Sequence, residues 1–157
     1  MNFADTNWLE AMFFQLNDPD KRFRCATVNR FLRGQSGQIG LSHIVYLEAR
    51  NVFSRVSGEA EPAEWLNLQE ELNRRFYLDP MNWDFLRRDT FELFSKYAPK
   101  GVVRTLDMAV VASARLAGGT KVLSFDRTVK AVAVAEGMEV FPELDLEGKA
   151  LLAKLRR

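Results

Sequence analysis

Five short apolar segments, each set beside a stretch of helical periodicity, constrain this chain more than any other feature. They are Asn2 to Asp5, Gly37 to Leu41, Phe76 to Leu78, Lys121 to Phe125 and Met138 to Phe141. Between them, apolar residues recur at the i, i+3, i+4 spacing that gives a helix one buried face. Alternation of strand and helix throughout a chain predicts an α/β fold: a parallel sheet covered by helices on both faces, joined by right-handed crossovers. In such a sheet a ligand site lies beyond the carboxyl ends of the strands.

The helix boundaries are written in capping residues. Asp5 leads into Trp8, Leu9, Ala11, Met12 and Phe13, and Asp20 can cap a second helix that carries Phe23, Val28, Phe31 and Leu32 and stops at Gly34. The opposite face of that helix bears Arg22, Arg24, Arg30 and Arg33. Ser42 can cap a third helix running to Ser57 and Gly58. Pro62 suits the first turn of a fourth, with Trp65, Leu68, Leu72 and Phe76 as its stripe. Asn82 can cap a fifth, closed by Pro99, Lys100 and Gly101, and a loop then reaches Thr105. Leu106 to Ala117 is small on nearly every face and should pack closely on the sheet, and Asp126 begins another short helix.

At 157 residues and 47% hydrophobic content, the chain suits one compact domain, expected over 1–145, followed by a helical tail over 146–157. The 22 basic and 21 acidic residues nearly cancel, so any nucleic-acid surface must be local. A single cysteine, Cys25, excludes an internal disulfide or a paired-thiolate zinc site and fits a reducing compartment. The lone histidine, His43, has no nucleophile elbow to accompany it, which leaves acyl transfer poorly supported. The first residues lack a basic n-region and no apolar run is long enough to span a bilayer, so the expected setting is cytoplasmic with no membrane partner. Trp65, Phe76, Phe85 and Phe94 recur at helical spacing and read as core or dimer surface rather than base-stacking platforms.

Four acidic residues stand apart. Glu48 falls inside the apolar stripe Ile44, Val45, Ala49, Val52, Phe53 and Val56, and should therefore face inward. A carboxylate there loses several kcal/mol of hydration unless it is paired, for example with Arg104, or bound to a cation. Asp5, Asp107 and Asp126 each have an ordinary role available at a helix start. Together they sit at strand-to-helix junctions, which a parallel sheet brings to one edge. Four carboxylates gathered there would repel one another at neutral pH, so the cluster implies a divalent cation, and an oxygen-only donor set suits Mg2+ or Mn2+.

These residues resemble the PIN-domain nucleases, and most closely the small ribonuclease toxins of the VapC kind. Asp5-Thr6-Asn7 is similar to their opening Asp-Thr/Ser-Asn motif, Glu48 to their second acid, Asp107 in Leu106-Asp107-Met108-Ala109 to their third, and Ser124-Phe125-Asp126-Arg127 to the strand-end motif that carries the fourth. The resemblance spans Asn2 to about Phe141. It implies a three-layer α/β/α domain with strand order 3-2-1-4-5, and phosphodiester hydrolysis at Asp5, Glu48, Asp107 and Asp126. It also gives Asn7 and Ser124 supporting roles, although both can equally be turn residues. Arg50, Arg104 and Arg127, adjacent in sequence to acids, are candidates to hold an RNA backbone. By resemblance the substrate is RNA, with transfer RNA as one candidate, and the partners are a cognate antitoxin and a second copy of the chain. The competing readings are a non-catalytic PIN-like module that binds RNA or protein, and a structure-specific DNA nuclease.

Overall fold

A computed structural model describes residues 1–101 and 103–157. The first strand, β1 (Asn2–Ala4), passes through Asp5 into α1 (Thr6–Phe13). Helix α2 (Pro19–Gly34) then returns the chain to β2 (Ile39–Leu41) and α3 (His43–Ser57). Next come α4 (Ala63–Glu70), β3 (Phe76–Leu78) and α5 (Trp83–Tyr97), which runs into a 3-10 turn at Ala98–Lys100. The chain continues through α6 (Thr105–Leu116), β4 (Lys121–Leu123), α7 (Arg127–Ala135), β5 (Glu139–Phe141) and α8 (Leu146–Leu155). The expected loop from Gly101 to Thr105 includes Val102, which lies outside the described residues.

All five strands are parallel, in the order β3-β2-β1-β4-β5, and helices flank the sheet in the expected three-layer arrangement. The strands are shorter than the sequence suggests. The central strands are short but covered by the helices above and below: Ile39, Leu41, Val122 and Leu123 are fully enclosed, while β5 at the edge is more exposed. At the β5 edge, Lys121 and Glu139 stand in register and form a 3.0 Å ion pair that places charge on an otherwise apolar ladder.

Phe3 fixes the middle of the sheet. It pairs with Gly40 on β2, and its ring occupies the space above that glycine, so a Cβ at Gly40 would lie 2.5 Å from the ring. Beside it, Trp8 of α1 is fully buried, stacked on Phe125 at 5.5 Å between ring centroids and met edge-on by Phe31 and Phe141. This aromatic cluster ties α1 and α2 to the ends of β4 and β5. Arg24 and Arg30 of α2 lie over the rings of Phe125 and Phe141.

Two expectations need correction. The stripe drawn through Trp65, Leu68, Leu72 and Phe76 is not one helix: α4 ends at Glu70, and a turn with Asn73 at φ 65° intervenes before Phe76 opens β3. The cap of α2 is Asp18, whose carboxylate accepts from the N–H groups of Asp20 and Lys21, because Pro19 takes the first helical position. Of the aromatic residues read as core or dimer surface, Trp65 and Phe76 are buried, Phe94 is half-buried and Phe85 is exposed. Helix α8 packs along α7, Leu155 joins the core, and its carbonyl accepts from Lys100 Nζ at 2.9 Å.

Candidate active site

The acids reach the same edge by three local arrangements. Asp5 ends β1 as the N-cap of α1, its Oδ1 accepting from the Thr6 N–H at 2.8 Å. Asp126 does the same for α7, with Oδ1 accepting from the Val129 N–H at 2.9 Å. Asp107 lies in the first turn of α6, where the helix dipole favours a negative charge. Glu48 lies further along α3, whose start is fixed by the buried Ser42, the acceptor for the Val45 N–H. Asp5 and Asp126 follow the adjacent parallel strands β1 and β4 and so share one edge. Asp107 does not stand at the strand-to-helix junction expected of it, because α6 follows α5 through the 3-10 turn, and it is the packing of α6 on α3 and α7 that brings it there. The four acids line a single cavity of about 200 Å³ with Thr6, Asn7, Glu10, Arg55 and Arg104.

Asp5 is the buried member of the set, 6% exposed. Its Oδ2 accepts from Ser124 Oγ at 2.7 Å and from Asn7 Nδ2 at 3.2 Å. Burial pushes its carboxyl up to about 6; the Ser124 and Thr6 hydrogen bonds oppose this, and the charges of Glu48 and Asp107 add to it. Burial likewise raises the carboxyl of Asp107, against the hydrogen bond from Arg104. Ser124 is fully buried and also accepts from the Asp126 N–H at 3.0 Å, while Asn7 Oδ1 accepts from the Phe125 N–H at 2.9 Å. The two residues thus stitch the end of β1 to the end of β4.

Glu48 turns toward the cavity rather than into the apolar core. It is half-buried at the margin of the α3 stripe, facing the cavity, and Val56 in the same stripe is 38% exposed. The hydroxyl of Thr6 donates to Glu48 Oε2 at 2.8 Å, and among the described residues no ion pair involves Glu48. Arg104 instead spans the other side, donating to Asp107 from Nε at 2.8 Å and to Asp126 from a terminal nitrogen at 3.0 Å.

Of the three arginines singled out, only Arg104 lines the cavity. Arg50 donates to Ser54 and the Ala60 carbonyl and lies over Trp65, and Arg127 pairs with Asp145 and Glu147. Both are drawn away by nearer partners. The cavity also contains Thr6, the middle residue of the Asp5-Thr6-Asn7 motif, and Glu10 and Arg55, for which the sequence reading assigns no role. The signal for each was periodicity: Thr6 and Glu10 are four apart on α1, and Glu48, Val52 and Arg55 follow the i, i+4, i+7 spacing of one helix face.

A hard divalent cation fits this donor chemistry, since carboxylate oxygens from four elements face one space and a buried acid among them is disfavoured in its charged form. As placed, no three acids among the described residues gather around one point; two of them are held on Arg104.

The fold is shared with solved structures of low sequence identity. The Mycobacterium tuberculosis VapC20, a sarcin-ricin loop cleaving toxin, superposes with a TM-score of 0.67 at 18% identity, covering 88% of this chain and 96% of that one. The FitAcB structure from Neisseria gonorrhoeae gives 0.60 at 17% identity over 90% and 96% of the two chains. A toxin-antitoxin complex from Klebsiella pneumoniae gives 0.58 at 15% identity over 80% and 87%. No curated protein sequence matches the chain. The PIN domain family model matches residues 3–135, from the first strand through the helix that Asp126 caps, and the chain therefore belongs to the PIN domain family.

Proposed function

We propose that the protein is a Mg2+- or Mn2+-dependent endoribonuclease, the toxin of a toxin-antitoxin pair. The observation that carries this reading is the convergence of Asp5, Glu48, Asp107 and Asp126 on one cavity from four separate elements. These four side chains would hold the cation. When bound, it would supply electrostatic stabilisation of charge developing on the phosphoryl group and would acidify an attacking water.

The chain's own residues set the geometry. Ser124 and Asn7 fix the orientation of Asp5, and Thr6 orients Glu48. Arg55 and Arg104 are the cationic groups of the cavity, and these would meet a phosphodiester. Membership of the PIN family and the likeness to a sarcin-ricin loop cleaving toxin and to a toxin-antitoxin complex support RNA as substrate and an antitoxin as partner; transfer RNA as the target and a second copy as a further partner belong to the proposal. Among the described residues, no helix is long and apolar enough to cross a membrane.

The test is cleavage of total transfer RNA across a titration of Mg2+ and Mn2+. Cleavage is expected to stop with EDTA and to return with either ion, while Ca2+ binds with little turnover. Asp107→Asn should remain folded and lose cleavage. Metal-independent cleavage would overturn the mechanism. Ion and RNA binding without hydrolysis would point to a non-catalytic module, and hydrolysis restricted to branched DNA to a structure-specific DNA nuclease.

A further inference from the structure

We propose that Arg104 is the site's own counter-cation: its guanidinium holds Asp107 and Asp126 when no divalent ion is bound and must leave both for an ion to enter. The inference rests on the reading of the cavity as a cation site.

The oxygens of the four acids divide unevenly. Asp107 gives both of its oxygens to Arg104, at 2.8 and 3.4 Å. Asp126 gives Oδ2 to Arg104 and keeps Oδ1 on the α7 cap. Asp5 is engaged by Thr6, Asn7 and Ser124, and Glu48 by the Thr6 hydroxyl, all neutral donors. Among the described residues Arg104 is therefore the only cation paired with any of the four.

Its tether is purely electrostatic. The side chain is 69% exposed, and among the described residues its guanidinium has no hydrogen-bond acceptors beyond these two carboxylates. It projects from the extended N-cap residue of α6, so it can swing into solvent without disturbing the core. A divalent ion held by the same carboxylate oxygens would lie beside the guanidinium, and two cations so close repel. One monovalent charge therefore exchanges for one divalent charge, and the affinity of the site is the net of the two.

The closing experiment is calorimetric titration of the full chain with Mn2+ alone, without RNA. Arg104→Gln should bind Mn2+ roughly three- to tenfold more tightly than the wild-type chain, while Arg104→Lys, which keeps the charge, should stay near wild type. In a parallel 15N spectrum, added Mg2+ should move the Arg104 Nε–H resonance to the position of a solvent-exposed arginine. Equal or weaker Mn2+ binding by Arg104→Gln, or an unmoved Nε–H signal on saturation with Mg2+, would overturn the exchange. Mn2+ uptake by neither chain would overturn the cation site itself, a separate result.

Discussion

Asp5 illustrates what a single buried charge does to this molecule. A rise from 3.8 to about 6 corresponds to roughly 3 kcal/mol set against the ionised form in the fold. Without metal, the folded chain takes up its proton as pH falls through 6, whereas the unfolded chain does so only near 3.8. Between those values the folded state binds more protons, so this group makes the protein more stable as pH is lowered. Asp5→Asn removes the charge while leaving an oxygen for the Thr6 N–H. In EDTA it is expected to raise the urea midpoint at pH 7.5, with a gain that shrinks at pH 5, and to abolish RNA cleavage with Mg2+ present. A gain independent of pH would rule out burial of the Asp5 charge as its source. At this scale much of the site was legible, because Asp5 and Asp126 cap their helices and Asp107 lies in the first turn of α6, positions where a carboxylate is expected. Glu10 and Arg55 were not, since an isolated polar residue on a helix face declares its role only when its neighbour across the cavity is known. Arg50 and Arg127 misled for the converse reason: adjacency in sequence says nothing about which partner a long side chain reaches first.

The elements were read well in kind and less well in length. Helices α3 and α5 begin at the predicted caps, Ser42 and Asn82, and α3 ends where Gly58 adopts the left-handed conformation. The strand lengths resisted because three-residue segments show no measurable alternation, and burial leaves the central ones mostly apolar. Their register depends on contacts invisible in a pattern, of which Phe3 over Gly40 is the sharpest. Gly40→Ala should cost about 1–3 kcal/mol in urea unfolding, since the added methyl meets a ring enclosed in the core. Shortening that ring with Phe3→Leu should recover part of the loss in the double variant. At Gly119 the same rescue should fail, because a Cβ there also meets the Ala114 carbonyl, 2.8 Å away. Full additivity of Gly40→Ala and Phe3→Leu would show that the two positions do not share space.

For the molecule as a whole, the final helix closes the core. Leu155 is 1% exposed, and Leu155→Ala should lower stability by about 2–5 kcal/mol, read from the urea midpoint. Arg127, displaced from the cavity, contributes here by anchoring Asp145 and Glu147 at the start of the same helix. The strand order has a further effect, on the order of assembly during synthesis. The strand made first stands in the middle of the sheet, flanked by β2, made soon after, and by β4, which begins only at Lys121. A fragment comprising residues 1–118 is expected to lack a cooperative thermal transition by circular dichroism, because one side of β1 has no ladder to join. Asp5 likewise waits for Ser124, and Asp107 for Asp126, so a growing chain holds its acids unassembled until the fourth strand has been added. On the proposed function, the site would therefore be incomplete for most of the chain's own translation.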